Sequence, residues 1–491
     1  MTESWMGIDL GTQSVRCLVV DATGRVLGSG SAGLPEVRDG VEHTQHPDDW
    51  WEAVVAAVRG AGEEVAAAGT TLGVVRAVAV DATSGTVALL DRAGAAIGPA
   101  LMYDDARATG ETERAADAAR ELGLEGPTAA LARAMWLLGR DDAPAGAQVA
   151  HQADVITRRL VGSPVPTDTS TSLKSGVDPV AVAWPAGLLD AAGVDRAALP
   201  DVVLPGTVLG TVGAQAARET GLPRGTEVVA GMTDGCASQL GAGVVGVGDW
   251  NSVLGTTLVL KGVTAARLVD PAGVVYSHRS SDGSWLPGGA SSVGAGLVSR
   301  DFGGADLDDL SRAAERVLPT PVLRYPLVSP GERFPFRAPD ARDLVLGEPA
   351  DEAEAFAALL QGAAYAERLC LDLLDSLGAP LDGDVVVTGG ASANEVWTQL
   401  RADVLGRPLH RVRLAEPALG MAVLARGRGS DLGTAAAEMV ERVAVVEPRR
   451  DTGGRPAEDH VAGYRRLVDE LEGRGWLPAD LAAHARRRSE G

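Results

Sequence analysis

Residues 7–14 read GIDLGTQS, and a second apolar run, 15–20, follows them directly. This pattern predicts two strands joined by a tight glycine–threonine turn. Such a turn can direct several backbone N–H groups into one small space, where they bind an anion such as phosphate. Asp9 would end the first strand beside this turn, in a place where a carboxylate could hold a metal ion. Taken alone, the run is also consistent with an ordinary β-hairpin.

Three later stretches have related forms. Residues 229–235 read VAGMTDG, a strand pattern that ends in glycine and aspartate. Residues 251–260, NSVLGTTLVL, repeat the strand–glycine–threonine–strand form, and residues 384–392, DVVVTGGAS, form a buried-type strand that runs into a glycine pair. The chain therefore predicts two phosphate-binding hairpins, with Asp234 shortly before the second one and a glycine turn late in the chain.

In this order and spacing the motifs resemble those of the actin-like ATPase superfamily and, within it, the FGGY carbohydrate kinases. The resemblance covers nearly the whole chain, from about residue 5 to about residue 450. It implies an α/β fold with two actin-like (ribonuclease H-like) domains and a nucleotide cleft between them. We expect these domains at residues 1–244 and 245–491. Strand patterns that alternate with helix patterns favour the same fold class.

The resemblance implies a sugar kinase that uses ATP and Mg²⁺. Asp234 matches the family's catalytic base, which accepts a proton from the attacking sugar hydroxyl, although an aspartate here could also cap the helix that follows. Asp9 would position Mg²⁺ or the attacked phosphoryl group, and the sequence does not separate these roles. The residues expected to bind the nucleotide are Gly11, Thr12, Gln13, Ser14, Gly255, Thr256, Thr257, Gly389, Gly390 and Asn394. For Asn394, a contact with the adenine edge and a helix N-cap are equally good interpretations.

The sugar site is expected in polar loops of the first domain. A polyhydroxyl ligand needs many oriented donors and acceptors, because an unmatched buried polar group costs roughly 1–3 kcal/mol. We expect Ser84, Tyr103 and Asp105 to contact the sugar together with Asp234. Alternatively, Asp105 and Arg107 form a structural ion pair, which is common on loops.

The loops at 83–86 and 101–107 read TSGT and LMYDDAR, where xylulokinases usually carry QMHG and a WND run. These loops look more like the D-ribulokinase-type branch, as do residues 255–258 and 288–294. The first expectation is therefore phosphorylation of D-ribulose to D-ribulose 5-phosphate. A xylulokinase or another ketose or polyol kinase is the near alternative, and a sugar or nucleotide sensor without turnover is a third. Arg133 also stands where the family has a lysine.

Composition limits the other classes of function. The formal net charge of −22 argues against nucleic acid or an anionic membrane as a main partner, since both need lysine and arginine. The three cysteines have no metal-ligand spacing and are typical of reduced core residues. No apolar run approaches eighteen residues, so we expect a soluble cytoplasmic protein. A homodimer is possible, but the sequence does not determine the assembly.

Two local patterns need separate mention. Residues 28–33 and 241–246 both match G-x-G-x-x-G, but neither follows a strand and opens a helix, so a dinucleotide-binding site is not expected. A helix is predicted to begin near Asp48, with this residue as its N-cap, and to run toward Ala68.

Overall fold

The structure is a computed structural model that describes residues 3–122, 128–428, 431–449 and 458–489. The chain divides into two compact units. The first takes residues 1–245, 278–284 and 416–441, and the second takes 246–277, 285–415 and 442–491.

The strands of the described residues are β1 Ser4–Leu10, β2 Ser14–Asp21, β3 Val26–Gly33, β4 Val37–Asp39, β5 Glu42–Gln45, β6 Val75–Ala82, β7 Val87–Leu90, β8 Ala100–Leu101, β9 Gln148–His151, β10 Thr167–Asp168, β11 Val202–Val203, β12 Val208–Thr211, β13 Glu227–Val229, β14 Trp250–Leu254, β15 Leu258–Gly262, β16 Tyr276–Arg279, β17 Trp285–Ala290, β18 Leu323–Tyr325, β19 Leu344–Leu346, β20 Val385–Thr388, β21 Leu409–Val412 and β22 Arg442–Val446.

The α-helices of the same residues are α1 Pro47–Ala67, α2 Thr109–Glu121, α3 Ala129–Leu138, α4 Gln152–Val161, α5 Ala186–Ala192, α6 Ala214–Thr220, α7 Asp234–Gly241, α8 Gly296–Phe302, α9 Leu307–Glu315, α10 Glu352–Ser376, α11 Glu395–Leu405, α12 Pro417–Gly427, α13 Leu432–Met439, α14 Glu458–Gly473 and α15 Ala479–Arg488.

The first unit is built on a mixed sheet with strand order β12-β13-β6-β1-β2-β3. β1 and β2 form the predicted antiparallel hairpin, in which Leu10 pairs with Val15, and β3 extends it. β6 joins the other side of β1 in parallel, and β13 joins β6 in the same way. Because parallel strands end at the same edge, the carboxyl ends of β1, β6 and β13 lie together, where open sheets bind ligands.

The second unit repeats this plan with strand order β17-β15-β14-β20-β21-β22. β14 and β15 form the second predicted hairpin, in which Leu254 pairs with Leu258. β20 runs parallel to β14, β21 runs parallel to β20, and β22 closes the edge in the antiparallel direction. Both sheets therefore share one topology, as the repeated hairpin predicted, and the chain has a two-domain α/β fold.

The predicted domain of 245–491 needs correction, because residues 416–441 return to the first unit. This segment contains α12, which packs on β1, β6 and α7. A Cβ atom at Gly7 of β1 would lie 1.7 Å from the carbonyl oxygen of Ala418, so the close approach of α12 requires glycine there. Residues 278–284 also belong to the first unit. A single boundary in the sequence cannot define two units that each contain several separate stretches of the chain.

Two of the three glycines in residues 28–33, Gly28 and Gly30, allow a helix to pack closely on their strand, so their match to a dinucleotide-binding motif is by chance. They lie in β3, and a Cβ atom at Gly30 would lie 2.0 Å from the carbonyl oxygen of Ala57 in α1. This helix begins at Pro47, two residues before the start that an N-cap at Asp48 would give, because proline favours the first helical position. His46 is therefore the N-cap instead of Asp48, and its side chain accepts the Asp48 N–H.

Cys17, Cys236 and Cys370 are buried and form no disulfide, in agreement with the prediction of reduced core residues. A search of the described residues finds no helix with the length and apolar character needed to cross a membrane.

Candidate active site

Three aspartates meet at the carboxyl edge of the first unit's sheet. Asp9 on β1 lies directly opposite Asp81 on β6 in the parallel register. The next residue of β6, Ala82, forms a bridge with Thr233, which precedes Asp234. The structure therefore brings together the two predicted aspartates and adds Asp81. Sequence reasoning missed its role, although an apolar run that ends in aspartate, as at Asp9, was the available signal.

Burial and mutual repulsion favour a single proton between the carboxyl groups of Asp9 and Asp81. Burial raises the pKa of Asp9 to about 6, while a hydrogen bond with Asp81 lowers it and the charge of Asp234 raises it. Burial, and then the charges of Asp9 and Asp234, raise the pKa of Asp81 well above its usual range. No donor from the described residues reaches either Asp81 oxygen. A protonated Asp81 can donate to the Asp9 carboxylate, so at neutral pH the charge of the pair lies on Asp9.

Asp234 is half-buried and is the first residue of α7. Its Oδ1 accepts the N–H of Gly235 at 2.7 Å. The N-cap position belongs to Thr233, so the alternative interpretation of Asp234 as the cap was wrong by one residue. The positive end of the helix dipole favours the ionised form of a carboxylate at this place.

The first hairpin turn carries Gly11, Thr12, Gln13 and Ser14, the predicted phosphate-binding residues. The Gly11 N–H donates to the carbonyl oxygen of Ser14 at 3.1 Å and closes the turn. The amide of Gln45, which is buried, donates to the carbonyl oxygen of Thr12 at 2.6 Å. The carbonyl oxygens of Thr12 and Ser14 are therefore hydrogen-bonded within the protein. This arrangement suits a turn that presents N–H groups to an anion.

The turn of the second hairpin has the same closure. The Gly255 N–H donates to the carbonyl oxygen of Thr257 at 3.1 Å. The carbonyl oxygens of Gly255 and Thr256 accept the N–H groups of Ala295 and Gly296 at 2.9 and 3.1 Å. The second turn is thus also held through its carbonyl oxygens.

The glycine turn at Gly389 and Gly390 lies against this second hairpin. Gly389 has φ of 82°, and a Cβ atom there would lie 2.6 Å from the carbonyl oxygen of Leu254, the last residue of β14. Both glycines are exposed. The structure therefore brings together the predicted phosphate turn and the predicted adenosine turn within the second unit.

Asn394 takes the N-cap role that was one of its two interpretations. Its Oδ1 accepts the N–H of Trp397 at 2.9 Å, and its Nδ2 donates to the hydroxyl of Ser311 at 2.7 Å. Both ends of the side-chain amide are therefore used within the protein, which leaves the predicted adenine contact without support from the geometry.

Within the predicted sugar loops, Ser84 differs from its threonine neighbours. The Thr83 hydroxyl lies 2.6 Å from that of Thr86 and donates to Gln152 Oε1, also at 2.6 Å. The Ser84 hydroxyl is buried and has no partner among the residues that the structure describes. Since buried polar groups are normally hydrogen-bonded, an orphan hydroxyl marks a place where a polar ligand can bind.

Asp105 does not fit its predicted sugar contact, because its oxygens are satisfied inside the protein. Arg107 donates to Asp105 Oδ2 through Nη2 at 2.8 Å, and the His43 N–H donates to the same oxygen at 2.8 Å. The Asp105 side chain has no exposed surface. The structural ion pair, which was the alternative interpretation, is what the structure shows. The side chain of Tyr103, in contrast, is exposed.

Arg133 joins the two predicted sugar loops. It is buried, and its Nε donates to the carbonyl oxygen of Asp105 at 3.0 Å. Its Nη1 donates to the carbonyl oxygen of Gly85 at 3.3 Å, and its Nη2 donates to that of Tyr103. In the sequence this residue was a departure from the family pattern, and in the structure it is a three-point clamp. A lysine cannot reproduce it, because an ammonium group lacks the planar fork of a guanidinium.

We expect Arg133→Ala to raise the KM for the sugar by about 10- to 100-fold, because hydrogen bonds to charged groups contribute roughly 1.5–3 kcal/mol. The sugar KM of Arg133→Lys should lie between the values of Arg133→Ala and the wild type. Steady-state kinetics with each substrate varied in turn would measure this, and the KM for ATP should change little. Arg76→Ala, which removes an exposed contact with Glu3, is the matched control. A folded Arg133→Ala protein with an unchanged sugar KM would contradict the clamp.

Comparison with known proteins adds independent information. A model of the FGGY family of carbohydrate kinases, N-terminal domain, matches residues 4–241, and the model of the C-terminal domain matches 250–426. The chain is 30% identical over 489 residues to a xylulose kinase of Streptomyces rubiginosus and 30% identical over 486 residues to one of Streptomyces coelicolor, with 95% of each chain covered in both cases. The crystal structure of xylulose kinase from Rhodospirillum rubrum is similar with a TM-score of 0.84 at 24% identity, covering 96% of this chain and 99% of that one. This last match supports the fold alone.

Proposed function

Because the chain belongs to the FGGY family of carbohydrate kinases, we propose that it transfers the γ-phosphoryl group of ATP to a hydroxyl group of a ketopentose, with xylulose as the first candidate. Membership makes the chain a sugar kinase, a phosphotransferase with an alcohol group as acceptor. The relatives at 30% identity are named xylulose kinase, so they support xylulose better than the D-ribulose that the loop sequences favoured. A sensor without turnover does not fit this membership.

The observation that carries the proposal is the cluster of Asp9, Asp81 and Asp234 at one sheet edge. Phosphoryl transfer to an alcohol needs a carboxylate that can accept the hydroxyl proton. The raised pKa of Asp81 favours its protonated form, which can donate to the Asp9 carboxylate and so makes both groups less suited to accept the hydroxyl proton. Asp234, at the start of α7, is therefore the group that we assign as general base.

The N–H groups of Gly11 and Gly255 close their own turns, so the phosphates of ATP would bind through the other N–H groups of residues 11–14 and 255–257. The turn at Gly389-Gly390 would contact the adenosine. The described residues contain no cluster of three or more His, Cys, Asp or Glu side chains suited to a metal. Kinase Mg²⁺ is commonly held by one or two carboxylates together with phosphate oxygens, and Asp9 fits that requirement. When bound there, Mg²⁺ would neutralise charge on the phosphates.

The sugar would lie against the loop that carries Ser84, whose buried hydroxyl can both donate to and accept from a sugar hydroxyl. Ribulose remains the second candidate because of one observation. Residues 83–86 lack the bulky methionine and histidine of xylulokinases, and this changes the shape available to the substrate. The two ketopentoses differ only in the orientation of the hydroxyl group at C3, so pocket shape decides between them.

The test is ADP release by the purified protein with Mg²⁺ and ATP in the presence of D-xylulose, D-ribulose, L-ribulose, ribitol or glycerol. We expect the highest kcat/KM with D-xylulose. A clear preference for D-ribulose would reverse the order of the two candidates and leave the chemistry in place. Sugar-independent ATP hydrolysis as the sole activity would contradict the proposed function. A reaction without sugar supplies the baseline for each measurement.

A further inference from the structure

A polar segment of the first unit, residues 167–175, is almost entirely buried. It reads TDTSTSLKS, and every residue of it except Lys174 is buried. Burying this many hydroxyl groups is costly unless they have specific partners. The proposed function uses none of these side chains.

Ser170 is the member of this segment that contacts the residue before the proposed base. It has no exposed surface, and its hydroxyl oxygen accepts the backbone N–H of Thr233 at 3.3 Å. The hydroxyl groups of Ser170 and Thr233 also lie 3.4 Å apart. Thr233 is the N-cap of α7, yet its own side chain makes no capping bond. Ser170 therefore supplies a hydrogen bond at the point where the backbone enters the helix that begins with Asp234.

His278 is the second partner of the Ser170 hydroxyl. Its Nδ1 lies 3.0 Å from Ser170 Oγ, and its ring is buried. His278 belongs to residues 278–284, the short segment that packs with the first unit although its neighbours in sequence lie in the second. Arg279 fastens this segment, because its Nη1 donates to the carbonyl oxygens of Pro179 and Val180 at 3.0 Å each.

These contacts define one chain of hydrogen bonds. A serine hydroxyl has one hydrogen to donate and two lone pairs that accept. Since Ser170 Oγ accepts the Thr233 N–H, its own hydrogen can be donated to Nδ1 of His278 in the tautomer that carries its hydrogen on Nε2. The imidazole thereby fixes the rotation of the hydroxyl, and the hydroxyl fixes the peptide that leads into Asp234.

We propose that Ser170 and His278 are positioning residues for Asp234 and that they hold the start of α7, and with it the base, in the orientation needed for proton transfer. This inference rests on the proposed function, because it assumes that Asp234 is the base. Neither residue is assigned a contact with the sugar or with ATP. Their effect should therefore appear in kcat and not in the KM for either substrate.

The experiment compares Ser170→Ala, His278→Ala and His278→Asn with two reference variants. Ser172→Ala is the matched control, because Ser172 is equally buried in the same segment and donates to the carbonyl oxygen of Asp168 at 2.6 Å, without contacting Thr233. Asp234→Asn reports on the base itself. For every protein the kcat, both KM values and the melting temperature are measured with the best sugar of the panel.

We expect Ser170→Ala and His278→Ala to lower kcat by about 10- to 100-fold, since small misplacements of a catalytic group have effects of this size. His278→Asn should recover most of the lost kcat, because the asparagine amide oxygen can accept the Ser170 hydroxyl near the position of Nδ1. Ser172→Ala should lower the melting temperature comparably and leave kcat near the wild-type value.

Two results would overturn the inference while leaving the proposed function in place. One is a Ser170→Ala kcat equal to that of Ser172→Ala, and the other is a His278→Asn variant no better than His278→Ala, in each case with Asp234→Asn inactive. If Asp234→Asn is itself active, the base assignment is wrong and the positioning inference falls with it. The two failures are thus distinguished by the activity of the Asp234 variant.

Discussion

Replacing Asp234 with asparagine is expected to lower kcat for the sugar by about 100- to 10,000-fold, the range typical of a lost general base. Asparagine cannot accept the hydroxyl proton as a carboxylate does. Its amide oxygen can still accept the Gly235 N–H that Asp234 Oδ1 binds at 2.7 Å, so the start of α7 should be preserved. Sugar-dependent ADP release measures turnover, and calorimetry measures the affinity for ATP.

The control for this substitution is Asp195→Asn. Asp195 also lies at the start of a helical turn, where its side chain accepts the N–H of Ala197, but it is exposed and lies far from Asp234 in the sequence. This variant should have wild-type kinetics. Near-normal turnover by a correctly folded Asp234→Asn protein would refute the role of Asp234 as base.

Substitution by asparagine should lower kcat/KM strongly at Asp9 and only slightly at Asp81. Asp9→Asn removes the negative charge of the shared pair, and we expect kcat/KM to fall by about 100-fold or more, because charged groups that position a reacting phosphate contribute strongly to transfer. Asp81→Asn replaces a protonated carboxyl with an amide that can still donate to Asp9, so kcat/KM should remain within a few-fold of the wild type. Equal losses in the two variants would contradict the assignment of the shared proton to Asp81.

The pH dependence tests the same pair. Since the pKa of Asp9 is about 6, kcat/KM of the wild type should fall as the pH decreases through about 6 and its carboxylate is protonated. The folded protein raises the pKa of Asp81 above its unfolded value, so the stability from this group is present at low pH and is lost as the pH rises and Asp81 ionises. Asp81→Asn should therefore lose less stability as the pH rises above 3.8, the usual aspartate pKa, which melting temperatures measured from acid through alkaline pH would test.

Much of the fold was predictable because its signals are local. Both hairpins, the glycine turn and the aspartate at the start of α7 are patterns of a few neighbouring residues, and strand alternation and turn glycines report directly on backbone conformation. The repetition of the hairpin was also enough to predict that the two sheets share one topology. The family follows from the order of these motifs along the chain.

The parts that failed depend on contacts between distant residues. The predicted domain of 245–491 could not anticipate that α12 packs on Gly7, more than 400 residues away. The sugar contact predicted for Asp105 has no support from the geometry, because Arg107 and the His43 backbone already donate to its oxygens. The N-cap predicted at Asp48 lies two residues too late, since Pro47 takes the first helical position and His46 is the N-cap.

The sequence by itself determined the family, the two hairpin turns and the positions of Asp9 and Asp234, because these are properties of short segments. Only the tertiary structure placed Asp81 opposite Asp9, made Arg133 a clamp between two loops and brought His278 to Ser170. Each of these contacts is set by strand register or by packing between segments far apart in the chain. The free energy of such a contact depends on the burial and geometry of both partners, and neither partner's local sequence contains that information.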